Sequence, residues 1–453
     1  MARASASPRW LAWTIITLVT LFALYVRWYY VVSADVMQPA YLPQARGDAA
    51  DYYRYAWNLV HHGVFSIQLP GLTAPIPDSF RDPGYPLLMA IWLRALDDWQ
   101  SFYAAMLLSQ AMLGAATVGL LLVAARRWFG WKGLLSTGLV MALWPHSVAA
   151  ASFLLSEVLF AFLVALALAL WVEASARKNP WLAASAGVAF SLAALTNAIL
   201  IPFAPMVALL IAVRNPSARP LAMALLVASL TLPLAWVARN ANLQGGVSAG
   251  DRAVMNLVQG SWPSYHQDFR LANNGDAHAQ AEMEAMDAEM AAFQSGKLHG
   301  LANLWERIGD SPGHYLAWYL SKPALLWQWD IRIGQGDVYT YGTQHSPFVE
   351  SAPMRAAWAV CRAANPLIAI AAFAICLWIL FTFRKGQDDG LACLALLAIY
   401  VTCVYGALQS EPRYAVPFRG EEVLLALLAV KSGYMCALRL ISTRQHSQVP
   451  RLV

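Results

Sequence analysis

GDAADYYRYAWNLVHHG, running from Gly47 to Gly63, places Tyr52, Tyr55, Ala56, Leu59 and Val60 at the i, i+3, i+4, i+7, i+8 positions of a helix with one apolar face. A helix of that kind lies along a surface rather than through one. Gly63 is suited to close it as a C-cap. Asp48 stands where an N-cap belongs, and Asp51, three residues on, is placed like the second member of a capping box. The simplest role for Asp48 is therefore a cap; a capping carboxylate that faces a cleft is still available for chemistry.

Outward from this segment the chain becomes too apolar for water. Of its 453 residues 59% are apolar and only 13% charged, against about 25% charged in a soluble domain, and the mean hydropathy is +0.48. This excludes a cytosolic globular enzyme, a disordered chain and a nucleic-acid binder. A membrane helix needs about 20 apolar residues, and ten runs qualify or nearly do: Trp10 to Ser33, Ser101 to Ala125, Gly133 to Ala149, Phe153 to Val172, Trp181 to Leu195, Ala198 to Val213, Leu221 to Val237, Pro366 to Phe383, Leu391 to Leu408 and Val423 to Leu440. The sequence thus predicts an all-α polytopic membrane bundle of about ten spans. With the N-terminus inside, Arg126, Arg127, Lys132, Arg177, Lys178, Arg214, Arg219, Arg384 and Lys385 all fall on the cytoplasmic side, as the positive-inside rule requires, and both termini are expected there. The first span lacks a cleavage site and is expected to be retained. Five cysteines, four of them in apolar runs, offer neither a disulfide framework nor a zinc spacing.

The chain divides into an N-terminal membrane module, residues 1–238, with an outer loop at 34–100; a large outer loop, 239–365; and C-terminal membrane helices, 366–453. The large loop reads as mainly helical, with Ala, Glu and Met dominating Asp276 to Gln294 and an interfacial aromatic stretch from His314 to Trp329. In the first loop, DSFRDPGYPLLMAIWLRAL (Asp78 to Leu96) is a proline-bracketed turn followed by an apolar helix too short to span. Arg81 lies near the membrane surface there, where a guanidinium can grip phosphate oxygens in pairs, or can instead pair with Asp78 or Asp82. Lys431, in mid-span, is expected to face the bundle interior and to answer Glu421 or Glu422.

The order Asp48-x-x-x-Tyr52-x-x-x-Ala56-x-Asn58-Leu59, then HHGVFS, then FRDPGYPLL before a helix, resembles the polyprenyl-phosphate-sugar-dependent glycosyltransferases of the GT-C superfamily, among them protein O-mannosyltransferases and aminoarabinose transferases. LLSEVLF (Leu154 to Phe160), AWVARN (Ala235 to Asn240), MNLVQGSWP (Met255 to Pro263) and EPRYAVP (Glu411 to Pro417) extend the resemblance over most of the chain. It implies a GT-C-like bundle that moves a sugar from a polyprenyl-phosphate carrier to an acceptor hydroxyl on the outer face, with inversion. The resemblance assigns the general-base role to Asp48. Glu157, an acid in an apolar setting at a helix start, assists it, or pairs with Arg239 or Arg413. Arg81, Arg239 and Arg413 are the candidates for the phosphate, Tyr52, Tyr414 and His266 for the sugar pocket. Asp48 is followed by Ala49 where many relatives carry an acidic pair, so a divalent cation stays open. The partners implied are the lipid-linked sugar, a glycolipid, glycan or protein acceptor, and the bilayer, with a bacterial inner membrane as the location and the site facing the periplasm. The competing readings are a transporter or flippase of a lipid-linked sugar and a carrier-dependent polysaccharide polymerase or ligase.

Overall fold

Long apolar runs without an internal break become the long helices of the chain. The structure, a computed structural model, describes residues 8–38, 47–69, 74–243, 245–382 and 388–447. Its elements follow one another as α1 (Arg9–Ser33), β1 (Asp35–Met37), α2 (Asp48–His62), α3 (Gly84–Ala95), α4 (Trp99–Ala125), α5 (Trp131–Leu143), α6 (Pro145–Ala149), α7 (Glu157–Arg177), α8 (Pro180–Thr196), α9 (Phe203–Arg214) and α10 (Arg219–Ala241). Then come α11 (Ala249–Ser261), α12 (Tyr265–Asn273), α13 (Ala277–Ser295), α14 (Lys297–Asp310), α15 (Pro312–Trp327), β2 (Gly342–Gln344), α16 (Pro347–Glu350), α17 (Ala352–Thr382), α18 (Asp389–Ala407), α19 (Pro412–Ala415) and α20 (Arg419–Ser447).

Among the described residues six helices are long and apolar enough to cross a membrane: α1, α4, α7, α10 with its leading turn, α17 and α18. A seventh is formed if α5 and the residues from Pro145 to Ser152, bent by 55°, count as one span. The chain is a multi-pass membrane protein. The difference from ten has local causes. Pro145 lacks an amide hydrogen and breaks the third run after Trp144, and the Arg27 guanidinium of α1 donates to the carbonyl of Ala142 at 3.2 Å. The fifth and sixth runs are short: α8 ends at Thr196, before Asn197, whose side chain accepts the Ile199 amide, and α9 restarts after Pro202 with 12 residues. At about 1.5 Å per residue, twelve residues reach well under the ~30 Å of a hydrocarbon core. The last run lies within α20, a 29-residue helix.

α7 separates two charged clusters by its own length. Near its C-terminal end Glu173 gathers Arg126, Arg127 and Arg177 at 2.6, 2.9 and 2.9 Å; at its first residue stands Glu157. Arg384 and Lys385 lie outside the described residues. Lys431 does not answer Glu421 or Glu422 as expected. Its ammonium donates to the carbonyl of Trp128 in the turn between α4 and α5, and Glu422 pairs with Arg419 at 2.8 Å. The segments between the spans hold α2 and α3 on one side of the sequence and α11 to α16 on the other. They are joined by an antiparallel pair of three-residue strands, Asp35 opposite Gln344 and Met37 opposite Gly342. Such short strands leave no alternation for a sequence reading to find.

Candidate active site

The site begins where the chain enters α2. Gly47, at φ 99°, occupies the cap position in a conformation that a side chain would strain. No side chain caps this helix; the amide of Ala49 donates instead to the Tyr341 hydroxyl at 3.3 Å. The capping reading of Asp48 and Asp51 is therefore corrected. Asp48 is the first residue of the helix, and its carboxylate turns to two arginines.

Oδ1 of Asp48 accepts from Nη2 of Arg81 at 2.7 Å, and Oδ2 from Nη2 of Arg413 at 2.6 Å. Arg81 also holds Asp51, through Nη2 at 2.6 Å and Nε at 3.1 Å. Nε of Arg413 donates to Oε1 of Glu157 at 2.5 Å. The result is an alternating row, Asp51, Arg81, Asp48, Arg413, Glu157, drawn from α2, the turn before α3, α19 and α7. Arg54, one turn on in α2, adds a third guanidinium 3.7 Å from Oδ1 of Asp51, so the carboxylates of the row are matched in charge. The expected partners of Arg81 are otherwise engaged. Asp78 accepts from the Tyr55 hydroxyl and the Ile67 amide, and Asp82 from Arg252 at 2.7 Å and the Ala198 amide at 3.1 Å.

Burial alone raises a carboxyl pKa, yet the guanidiniums of Arg81 and Arg413 outweigh it and hold Asp48 well below the usual carboxylate range. For Asp51 burial wins over Arg81 and the shift is upward. Burial works against the charge of Arg413, but Glu157 and Asp48 overcome it and keep that guanidinium firmly protonated.

Four members of the row, Asp48, Arg81, Arg413 and Glu157, line a hollow of about 480 Å³. Tyr52, Tyr414, Asp82, Arg252 and Asn256 line it as well, and Phe160, Ile199, Pro202, Val404 and Leu408 supply apolar wall. Tyr52 donates to the Ser156 hydroxyl at 3.2 Å, and Tyr414 donates to Gln409 at 2.8 Å while stacking on Tyr405 with centroids 5.0 Å apart. The Asp48 side chain keeps 26% of its surface accessible, against 11% for Glu157 and 13% for Asp51. Of the three carboxylates it is the most accessible to an incoming group.

Two expected site residues do not line the hollow. Arg239 is drawn away by the first outer loop: it donates to the Asp78 carbonyl at 2.6 Å and lies over the rings of Trp236 and Phe65, 4.8 and 5.7 Å from their centroids. His266 is buried with Nε2 3.0 Å from Oε2 of Glu411, whose other oxygen accepts the amides of Arg332 and Ile333. Both residues brace the walls. Conversely, Arg252 and Asp51 escaped the sequence reading. Asp51 was absorbed by its apparent capping role; Arg252 sits one turn before Asn256 on α11, a spacing that puts both on one helix face. For a divalent cation, the carboxylates are separated by guanidiniums instead of converging, and no group of three or more His, Cys, Asp or Glu among the described residues is disposed to hold a metal ion. The arrangement does not fit one.

No family model matches the chain, and no curated protein matches it in sequence. Solved structures do. The oligosaccharyltransferase of Archaeoglobus fulgidus in its apo form aligns with a TM-score of 0.52 at 13% identity, over 97% of this chain and 52% of that one. The oligosaccharyltransferase AglB from the same organism, in complex with an inhibitory peptide and a dolichol-phosphate, gives 0.51 at 14% identity, over 98% and 52%. The chain thus spans about half the length of that enzyme. ArnT from Cupriavidus metallidurans, bound to undecaprenyl phosphate, aligns at 15% identity over 91% of this chain and 76% of that one, with a TM-score of 0.40. The likeness to the oligosaccharyltransferase is one of fold: the chain is an all-α membrane protein with the GT-C-like architecture that its sequence resemblance implied.

Proposed function

We propose that the protein is an integral membrane glycosyltransferase that moves a sugar from a polyprenyl-phosphate carrier to an acceptor hydroxyl at the outer face of the membrane. The observation that carries the reading is the hollow itself, in which a reachable carboxylate and three guanidiniums, Arg81, Arg252 and Arg413, stand beside an apolar wall. Phosphate needs the cations, the isoprenoid suits the wall, and the acceptor proton needs the carboxylate. AglB, with which the chain shares its fold, has been solved with dolichol-phosphate.

In this reaction the acceptor oxygen forms a bond to the anomeric carbon as the bond from that carbon to the phosphate oxygen breaks. The bonding pair leaves with the phosphate, and the hydroxyl proton passes to Asp48 and on to water. The products are the glycosylated acceptor and a polyprenyl phosphate monoester. The leaving group gains negative charge, which Arg81, Arg252 and Arg413 stabilise by preorganised donors. A single displacement inverts the anomeric centre. The donor is a hexosyl or pentosyl carrier lipid, the location a bacterial inner membrane with the hollow toward the periplasm and both termini cytoplasmic.

The test is transfer by purified protein supplied with labelled carrier-linked sugars. Asp48→Asn is expected to lower the rate about 10²- to 10⁴-fold, the range of general-base catalysis. Transfer at the wild-type rate removes Asp48 from the chemistry. Passage of an intact lipid-linked sugar across liposomes, with none consumed, replaces the enzyme with a transporter.

A further inference from the structure

As it stands, Asp48 is a poor base. Oδ1 accepts from Arg81 at 2.7 Å and Oδ2 from Arg413 at 2.6 Å, so each oxygen is already engaged by a cation. Both guanidiniums pull its pKa down, and a hydroxyl proton has little reason to move there. Yet Asp48 is the most accessible carboxylate of the row. The same two guanidiniums lie in the hollow as the natural partners of an oxyanion, since their forked donors match carboxylate and phosphate alike. Carboxylate and phosphate therefore compete for the same N–H groups.

We infer that Asp48 is the internal occupant of an anion site formed by Arg81 and Arg413, and that the phosphate of a polyprenyl-linked donor displaces it, so that binding the donor is what frees the base. The inference rests on the donor class proposed above. The row is built for such an exchange. Arg81 stays anchored to Asp51 through Nε, and Arg413 to Glu157 through Nε. Only the Nη2 hydrogens that now meet Asp48 have to change partner; Nη2 of Arg81 keeps its second contact, with Asp51 at 2.6 Å. Each N–H given up by the carboxylate is taken by a phosphate oxygen, so the arginines keep their charge-assisted bonds, and the cost of the exchange falls on Asp48, which is left without its cations. The two flanking carboxylates, Asp51 and Glu157, hold the arginines in place throughout.

The freed Asp48 then behaves differently. With its cations turned to phosphate, burial acts on it with less opposition and raises its pKa toward the range where a general base works best. Without donor the carboxylate is locked; with donor it can accept the acceptor proton. Donor binding thereby precedes activation of the acceptor.

The experiment compares wild type, Asp48→Asn, Asp48→Ala and Arg413→Met, each as the full chain in lipid nanodiscs, with a C55 polyprenyl phosphate and the uncharged polyprenol as probes. Gel-filtration profile and thermal midpoint serve as the check of folding for each variant. Asp48→Asn and Asp48→Ala are expected to bind the phosphate about fivefold or more tightly than wild type, because the internal competitor is gone. Arg413→Met is expected to bind it about tenfold or more weakly, and polyprenol is expected to bind equally to all four. If wild type prefers the phosphate over polyprenol but both Asp48 variants bind it no more tightly, the exchange is overturned and the donor class stands. If wild type shows no preference for the phosphate, the donor class falls and the exchange with it.

Discussion

Lys322 offers a measurement that joins the stability of the fold to the shape of the hollow. Its side chain is fully buried in α15, where the ammonium donates to the Gly260 carbonyl of α11 at 2.8 Å and to the Leu408 carbonyl just past α18. The two backbones are already tightly apposed, since a Cβ on Gly260 would lie 2.4 Å from the Leu408 carbonyl carbon. This clip fixes the segment carrying Arg252 and Asn256 against the one carrying Leu408 and Gln409, all four of which line the hollow. Burial pulls the Lys322 pKa from its ordinary 10.5 down to about 7. A folded-state value below the unfolded one means that the unfolded chain binds more protons between the two, so stability rises with pH across that window. The contribution is complete above about 10.5 and is lost as pH falls through about 7. The slope is about 1.4 kcal/mol per pH unit, or roughly 5 kcal/mol over the window. A neutral amine keeps two hydrogens, enough for both carbonyls, so the clip survives deprotonation. Lys322→Met removes both the titration and the two hydrogen bonds, leaving buried carbonyls unsatisfied at about 1–3 kcal/mol each. The thermal midpoint in detergent, followed by tryptophan fluorescence at pH 7 and 9.5, is expected to favour wild type over Lys322→Met by a margin that widens at the higher pH. A margin that is the same at both pH values refutes a titrating lysine in the clip.

Other predictions follow from single contacts. Arg252→Gln removes a cation lining the hollow and is expected to raise KM for the lipid-linked donor about tenfold or more, on the scale of a charge-assisted bond, with kcat changed less; steady-state kinetics read the split. Glu157→Gln loosens the anchor on Arg413 Nε and is expected to lower kcat about tenfold or more while the thermal midpoint moves little, since a glutamine oxygen still accepts that N–H. Gly84→Ala places a methyl 2.3 Å from Oγ1 and 2.9 Å from Cα of Thr196 and is expected to cost about 1–3 kcal/mol of stability, seen as a lowered midpoint. The product formed from a donor of known anomeric configuration is expected to show inversion by NMR; retention points to a covalent intermediate.

Much of the architecture was legible in hydropathy, and four site residues were legible in short strings. Asp48, Arg81, Glu157 and Arg413 come from GDAADYY, FRDPGYP, LLSEVLF and EPRYAVP, and the structure brings all four into one row, with Tyr52 and Tyr414 beside them. The glycine of FRDPGYP has its own physical reason, the contact of α3 with the end of α8 at Thr196. Who pairs with whom was not legible. Asp48 and Arg413 are 365 positions apart, and proximity in sequence pointed Arg81 at Asp78 and Asp82 instead. Arg239 lies in a family-like string and His266 follows one, but contacts with Asp78, Trp236 and Glu411 decide where they face, and those depend on how the outer segments dock. The cap was misread because the conformation of Gly47 shifts the helix start by one residue.

The lock on Asp48 makes a kinetic prediction of definite sign. The pH dependence of kcat/KM reports groups in the free enzyme, and that of kcat reports groups in the complex. In the free protein Arg81 and Arg413 keep Asp48 ionised far into acid, so Asp48 contributes no acid limb to kcat/KM near neutrality. Once phosphate has taken those guanidiniums, burial raises the pKa of the same carboxylate, and protonation at falling pH removes the base. An acid limb is therefore expected in kcat at a higher pH than any in kcat/KM, when the donor is varied at saturating acceptor. Arg413→Lys keeps a charge near Glu157 but replaces a fork that spans two carboxylates with a single ammonium; it is expected to weaken the lock and narrow the gap between the two limbs. Coincident limbs in wild type mean that Asp48 has the same surroundings with and without donor, and an arginine row that never changes partners.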